Sequence, residues 1–215
     1  MRRLSIAFLV SNLCAALMPS LAPASIFGGW TEQRFSLFSS NDWQQSRDGV
    51  AMRSDGSVSL IWRALPQSDW GTRKAVWQWS VSQSVPPTPL DRKGGDDRDL
   101  SLYFVFMPEA VARANEGASI RKLLAVKEAR VLMYVWGGKH GRGALLPSPY
   151  LGARGKTVVL RPAGTGSHSE SVDLARDYQR AFGAQPTQLV GLALSGDSDD
   201  TDSAIRARIE GLSLN

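Results

Sequence analysis

Residues 204–214 read Ala-Ile-Arg-Ala-Arg-Ile-Glu-Gly-Leu-Ser-Leu, and this stretch decides the fold class. Ile205, Ala207 and Ile209 fall on one side of an extended chain, while Arg206, Arg208 and Glu210 fall on the other. A period of two with one apolar face marks a half-buried antiparallel strand, because successive side chains of extended backbone point to opposite faces. The alternation recurs upstream. Ser57–Leu65 sets Val58, Leu60, Trp62 and Ala64 on one face, and Ala75–Ser84 sets Ala75, Trp77, Trp79 and Val81 against Val76, Gln78 and Ser80. Leu100–Met107 and Val131–Trp136 are nearly unbroken apolar runs, expected as central strands covered on both faces. Thr157–Leu160 and Gln188–Ser195 are further strands.

Gly- and Pro-rich punctuation separates these runs, as at Pro86-Pro87-Thr88-Pro89, Gly94-Gly95, Gly137-Gly138 and Pro147–Gly152. Two segments leave the β pattern. Glu109–Arg130 is rich in Ala, Lys, Leu and Glu and is expected as a helical excursion between two strands. Ser171–Phe182 reads as a shorter helix, with Gly183 as its stop. Many short strands with one or two short helices predict a mainly β fold, an antiparallel two-sheet β-sandwich that is jelly-roll-like.

The chain of 215 residues suits one such domain. Residues 1–24 carry the marks of a secretory signal peptide: Arg2-Arg3, an apolar run from Leu4 to Met18, and the small-x-small site Ala22-Pro23-Ala24. Cleavage after Ala24 leaves 25–215 as a single β-sandwich domain, expected to be periplasmic or secreted. It removes Cys14, the one cysteine, so the mature chain has no disulfide. The formal charge of +5 is spread along the chain, which argues against nucleic acid as a partner. No second apolar run reaches membrane-spanning length, so no membrane span is expected after cleavage.

Five blocks stand out in order along the chain: Gly95-Asp96-Asp97 leading into Leu102-Tyr103-Phe104-Val105-Phe106, then Met133-Tyr134-Val135-Trp136, Ser148-Pro149-Tyr150, Asp177-Tyr178 with Phe182-Gly183, and Val190-Gly191-Leu192-Ala193 running into Asp197-Ser198-Asp199-Asp200-Thr201. Together they resemble an exported bacterial family, the "domain of unknown function 3047" proteins. The resemblance covers most of the chain from about Phe35. It implies an exported jelly-roll sandwich similar to carbohydrate-binding modules, and no particular activity. Two departures stand out. Ser101 occupies a position where an arginine is expected after the paired acids, and Val172-Asp173 stands where an Arg-Asn pair would precede the helix.

The densest chemistry is Asp197-Ser198-Asp199-Asp200-Thr201-Asp202, between two strands. Asp197, Asp199, Asp200 and Asp202 could turn their oxygens toward one hard cation and hold a structural calcium; the plain alternative is a solvated acidic turn. The spacing is not that of an EF-hand, which needs a glycine at the sixth position of its loop. Asp96 and Asp97 form a second acidic group just before a central strand. Carboxylates from two loops can work as an acid/base pair on a glycosidic bond, so Asp96, Asp97, Asp199 and Asp200 are the catalytic candidates of a hydrolase. A bond from Asp96 or Asp97 to backbone amides or an arginine is their structural alternative. His140 and His168 lack metal-ligand spacing, and no G-x-S-x-G elbow occurs. Among the aromatics, Trp77 and Trp79 share a face with Ala75 and Val81 that reads as core, while Trp30, Trp43 and Trp70 lie in polar surroundings and are expected at the surface.

The leading expectation is a non-catalytic exported sandwich that binds a carbohydrate or cell-envelope glycan on one concave sheet. Its contact residues would be Trp79, Tyr103, Tyr134, Asp96 and Asp97. The rivals are the hydrolase and an envelope protein-interaction domain. Convergence of the two Asp groups in one cleft would favour the hydrolase; a large exposed apolar patch would favour the interaction domain.

Overall fold

The computed structural model describes residues 26–36 and 39–215; the signal peptide expected over residues 1–24 lies outside them. Among the described residues, twelve strands form two sheets. Seven of them, β1 (Thr31–Arg34), β4 (Val58–Ala64), β6 (Arg98–Met107), β7 (Arg130–Trp136), β8 (Leu145–Ser148), β9 (Gly152–Arg161) and β11 (Gln188–Asp197), pair in the order β1-β4-β11-β6-β7-β9-β8. The other five are β2 (Asp42–Gln45), β3 (Gly49–Asp55), β5 (Lys74–Gln83), β10 (Gly166–Asp173) and β12 (Ala204–Leu214), ordered β10-β5-β12-β3-β2. Strands adjacent in sequence often lie in different sheets, which is how a sandwich of this kind closes its core. Among the described strands the pairing departs from a purely antiparallel pattern where β7 runs parallel to β9.

The core lies between the sheets and is built by the faces that alternation selects. Ala75, Trp77, Trp79 and Val81 of β5 and Ile205, Ala207 and Ile209 of β12 are all buried. They meet Leu100, Leu102, Phe104 and Phe106 of β6 and Tyr134 and Trp136 of β7. Aromatic rings lock the two layers together. Trp77 lies 5.8 Å from Tyr134 and 6.3 Å from Phe104, and Trp79 lies 5.6 Å from Trp136 in an edge-on arrangement. Edge-to-face pairs of this kind add about 0.5–1.5 kcal/mol each beyond the area they bury.

The helical segments differ from the sequence expectation in length. Glu109–Arg130 is not one helix but two short ones, α1 (Glu109–Ala114) and α2 (Ile120–Ala125), separated by Gly117 at φ 74°. The third helix, α3 (Leu174–Phe182), starts three residues late because 171–173 finish β10. Asp173 caps it by accepting from the Arg176 amide at 2.9 Å, so the residue that departs from the family pattern is itself a good N-cap. Gly183 closes the helix in the left-handed region at φ 72°. β6 and β7 are covered on both faces, one by the second sheet and the other by α2 and the turn after β8.

Candidate functional site

The outer face of the seven-stranded sheet carries a cleft of about 350 Å³. Leu60 of β4, Ala193 of β11, Tyr103 and Val105 of β6 and Met133 of β7 form its floor; Ile120 and Leu124 of α2 and Leu151 wall it in. One end is polar, and Asp96, Arg98, Ser101, Ser195, Asp197, Asp199 and Tyr150 gather there. Phe35 and Tyr150 stand at the mouth, 58% and 61% exposed.

Arg98 organises the polar end, and a bulge puts it there. Ser195 pairs with Ser101, but Asp197 pairs with Arg98, so β6 carries one extra residue against β11. That residue changes the alternation: Arg98 shares the cleft face with Ser101 and Tyr103, and Asp99 is turned inward. Gly137 holds the arrangement from behind. It sits at φ 146°, and a Cβ on it would come 2.7 Å from the Cβ of Arg98. In the cleft, Arg98 Nη1 donates to Asp96 Oδ2 at 3.0 Å and to Asp197 Oδ2 at 3.1 Å, and Nε donates to Ser101 Oγ at 2.9 Å. Nη2 donates to the Tyr103 hydroxyl at 3.1 Å, and that hydroxyl lies 2.9 Å from Ser195 Oγ. Burial opposes the guanidinium charge, but Tyr103, Asp197 and Asp96 outweigh it and keep Arg98 charged. Asp96 accepts a further bond from the Tyr150 hydroxyl at 3.0 Å. Burial and then Asp96 push that hydroxyl up to about 12, so it remains a donor.

Burial also dominates at Asp197, and the neighbouring Asp199 adds to it; together they outweigh Arg98 and push the carboxyl up to about 8. Asp99, inward of the bulge, is pushed up to about 7 by burial, although it accepts from the Val85 amide and Ser84 Oγ at 2.9 Å each.

The loop that presents the acids is fixed from below. Ser198 Oγ lies 2.7 Å from Ser54 Oγ, and Asn41 Nδ2 donates to the Gly196 carbonyl at 2.9 Å. From the side, Asp97 accepts from the Thr201 amide at 2.8 Å and from the Thr201 hydroxyl. The two acidic groups therefore do meet. Asp97, Asp199 and Asp200 bring carboxylate oxygens within 4.8 Å of one another, while Asp96 and Asp197 share one arginine nitrogen.

Not every residue singled out from the sequence arrives here. Tyr103, Asp96 and Asp199 line the cleft, and Asp97 is buried beside it as a clamp on the loop. Trp79 and Tyr134 do not reach it. Both lie between the sheets, Trp79 donating from Nε1 to Glu170 and Tyr134 donating to Asp177 Oδ2 at 2.9 Å. Their strand faces are the inward ones, so neither can stack on a ligand. Asp202 leaves the acidic group as well: it turns to φ 48° and lies against Gly56 in the β3–β4 turn. Trp30 and Trp70 are buried rather than exposed, each with its Nε1 bonded to a backbone carbonyl. Sequence reasoning missed Arg98 as the hub, looking for the arginine three residues later at Ser101. The signal that could have found it is an Arg directly after Asp96-Asp97, with a Gly-Gly pair one strand away to admit its backbone.

The quoted sequence blocks converge in space. Ser148-Pro149-Tyr150 and Asp96 meet at the cleft, Asp97 clamps Asp200-Thr201, and Tyr134 bonds Asp177. Among solved structures the chain is similar to the xyloglucanase domain of NopAA, a type three effector from Sinorhizobium fredii, in complex with cellobiose. The identity is 9%, the match covers 92% of this chain and 99% of that one, and the TM-score is 0.42. It is also similar to a thermostable cellulase derived from Rhodothermus marinus Cel12A, at 12% identity over 88% and 97% of the two chains with a TM-score of 0.44. The catalytic domain of Humicola grisea Cel12A gives 15% identity over 78% and 81% with a TM-score of 0.41. At these values the likeness is one of outline. No curated protein matches the sequence. Residues 28–213 match the family described as "Protein of unknown function (DUF3047)", and the chain belongs to that family.

Proposed function

We propose that the protein is a glycan-binding β-sandwich and that the cleft over β4, β11, β6 and β7 receives the sugar. The observation that carries this reading is the pairing of exposed aromatic faces at the mouth, Phe35 and Tyr150, with a closed end of fixed donors and acceptors. A pyranose has apolar C–H faces and a rim of hydroxyls, so it needs both kinds of surface at once. The volume of about 350 Å³ falls at the lower end of small-ligand sites, which suits a short stretch of chain or a chain end. The exposed large apolar side chains among the described residues are Phe35, Val76 and Tyr150. Val76 is on the opposite sheet, so they offer a protein partner no contiguous patch.

A second reading, a polysaccharide-acting hydrolase, is favoured by the convergence of Asp96 and Asp197 on one guanidinium with Asp199 beside them. Pairs of carboxyl groups that flank a scissile glycosidic bond stand roughly 5–9.5 Å apart, and oxygens 3.0 and 3.1 Å from one nitrogen can be no farther apart than the sum of those distances, below that upper limit. One experiment addresses both. The purified protein is screened on an array of neutral and acidic polysaccharides, and each hit is titrated by calorimetry and assayed for new reducing ends. Saturable binding that Tyr103→Ala or Tyr150→Ala weakens at least tenfold, without reducing-end release, is the expected result. Release that Asp199→Asn abolishes assigns the hydrolase instead, and folded protein that retains no glycan overturns the cleft reading.

A further inference from the structure

We propose that Asp97, Asp199 and Asp200 bind a calcium ion at the polar end of the cleft, with Asp197 buried beside them and Asp202 taking no part. This does not rest on the glycan reading. The first observation is geometric: one oxygen from each of the three carboxylates lies within 4.8 Å of the others. Two ligands of an ion held at about 2.4 Å can be no farther apart than its coordination diameter, and every pair among these three meets that bound.

The second observation is independent of the cluster. Asp197 is 6% exposed, and its Oδ1 is buried with no donor. Its other oxygen is held by Arg98, and its carboxyl faces Asp199. A buried carboxylate oxygen left without a donor is expensive, and one turned toward a second carboxylate more so. A divalent cation beside Asp199 relieves both faults together. Charge balance agrees. Arg98 pairs with Asp96 and Asp197 and with none of the three ligands, so the end of the cleft holds more acid than base.

Calcium is the ion this arrangement suits. The donors are all carboxylate oxygens, and they come from two loops that need not meet an octahedron, where magnesium demands near-ideal geometry and zinc prefers nitrogen or sulfur. The loop is already set by Asp97, Ser54 and Asn41, and Asp199 and Asp200 stand on its exposed side. Backbone carbonyls and water would complete the shell, as in open extracellular sites with dissociation constants on the order of 10⁻⁴–10⁻³ M.

The test is calorimetric titration of the EDTA-treated protein with calcium chloride, alongside thermal melts in EDTA and in millimolar calcium. Binding in that range with a higher melting midpoint in calcium is expected, because an ion that binds the native state alone stabilises it. Asp199→Asn and Asp200→Asn, both at exposed positions, should each weaken binding at least tenfold and abolish the shift. Asp202→Asn should leave both unchanged. No heat and no shift up to 10 mM calcium (a ceiling about tenfold above the weakest expected constant) would overturn the proposal. So would a shift that survives Asp199→Asn, or magnesium binding as tightly as calcium.

Discussion

Two charged clusters are built into this sandwich, and they are balanced in opposite ways. At one sheet edge, Glu170 of β10 has a side chain with no exposed surface and accepts from Arg161 at 2.8 Å, Arg142 at 2.9 Å and Trp79 Nε1 at 3.2 Å. One acid meets two arginines and an indole, and every carboxylate oxygen has a donor. At the polar end of the cleft one arginine serves Asp96 and Asp197, and three further acids stand close by. The electrostatic outcomes differ in sign. Burial pushes Glu170 up, but Arg142 and Arg161 outweigh it and hold the carboxyl below its usual value. At Asp197 burial and Asp199 win, and the carboxyl rises to about 8. A saturated cluster stabilises a fold and has nothing left to offer a ligand. The unsaturated one, opening into a cleft, retains capacity for an ion or a hydroxyl-rich ligand. Donor saturation thus distinguishes the cluster that ties the sheet edge from the one that opens on the cleft.

The sharpest way to break the comparison is to remove each hub in turn. Arg98→Met leaves Asp96 and Asp197 with no counter-charge, at side-chain exposures of 4% and 9%. Removing one partner of a buried ion pair costs about 3–5 kcal/mol, and the expected loss at pH 7 lies in that range. Adding Asp96→Asn to the Arg98→Met variant should recover part of it, since the carboxylate that lost its counter-charge is then gone. Urea denaturation of the three proteins measures both steps. A loss below about 1 kcal/mol for the single variant would mean that solvent already screens this cluster, as at an exposed pair.

Glu170→Gln is the matching test at the other cluster, with a smaller expected effect of about 1–3 kcal/mol, because Gln keeps an acceptor for one of the donors. Its pH dependence is the sharper readout. A carboxyl held below its unfolded value contributes stability that is present above that value, 4.5 here, and is lost as pH falls through the folded one. The gap between wild type and Glu170→Gln should therefore be full at pH 7 and shrink steadily below pH 4.5. A gap independent of pH would show that Glu170 acts through packing rather than charge.

How far these features were legible in sequence depends on whether they are local. β12 is recovered residue for residue at 204–214, and the inward faces of β5 and β12 follow from alternation, because period and burial are both local properties. β10 was unreadable for the same reason. Its Gly-Ser-His-Ser-Glu-Ser-Val-Asp carries no apolar stripe, and its one buried carboxylate is tolerable only because Arg142 and Arg161 arrive from elsewhere in the chain. The site shows the same divide. The acidic residues announce themselves by composition, but which of them converge is set by a bulge in β6 and by Gly137, neither of which leaves a mark on periodicity. Trp79 shows the converse error: its own strand face placed it in the core, and a preference for aromatic residues in sugar sites pulled it wrongly to the surface.

The smallest effect on stability belongs to Tyr150, and it is the most telling for function. Tyr150 is exposed, and the hydrogen bond its hydroxyl donates to Asp96 lies at the rim of the unsaturated cluster. Tyr150→Phe removes that bond while leaving the ring, so the stability change should stay within about 1 kcal/mol. If the ring is the stacking surface, Tyr150→Phe should keep most of the glycan affinity that Tyr150→Ala loses. If the hydroxyl matters because it orients Asp96, both variants should lose affinity alike. The two outcomes divide the mouth of the cleft between its apolar and polar functions, and calorimetry with the three proteins on one glycan tells them apart. Equal affinity in all three would remove Tyr150 from the site, leaving Phe35 as the exposed aromatic at the mouth.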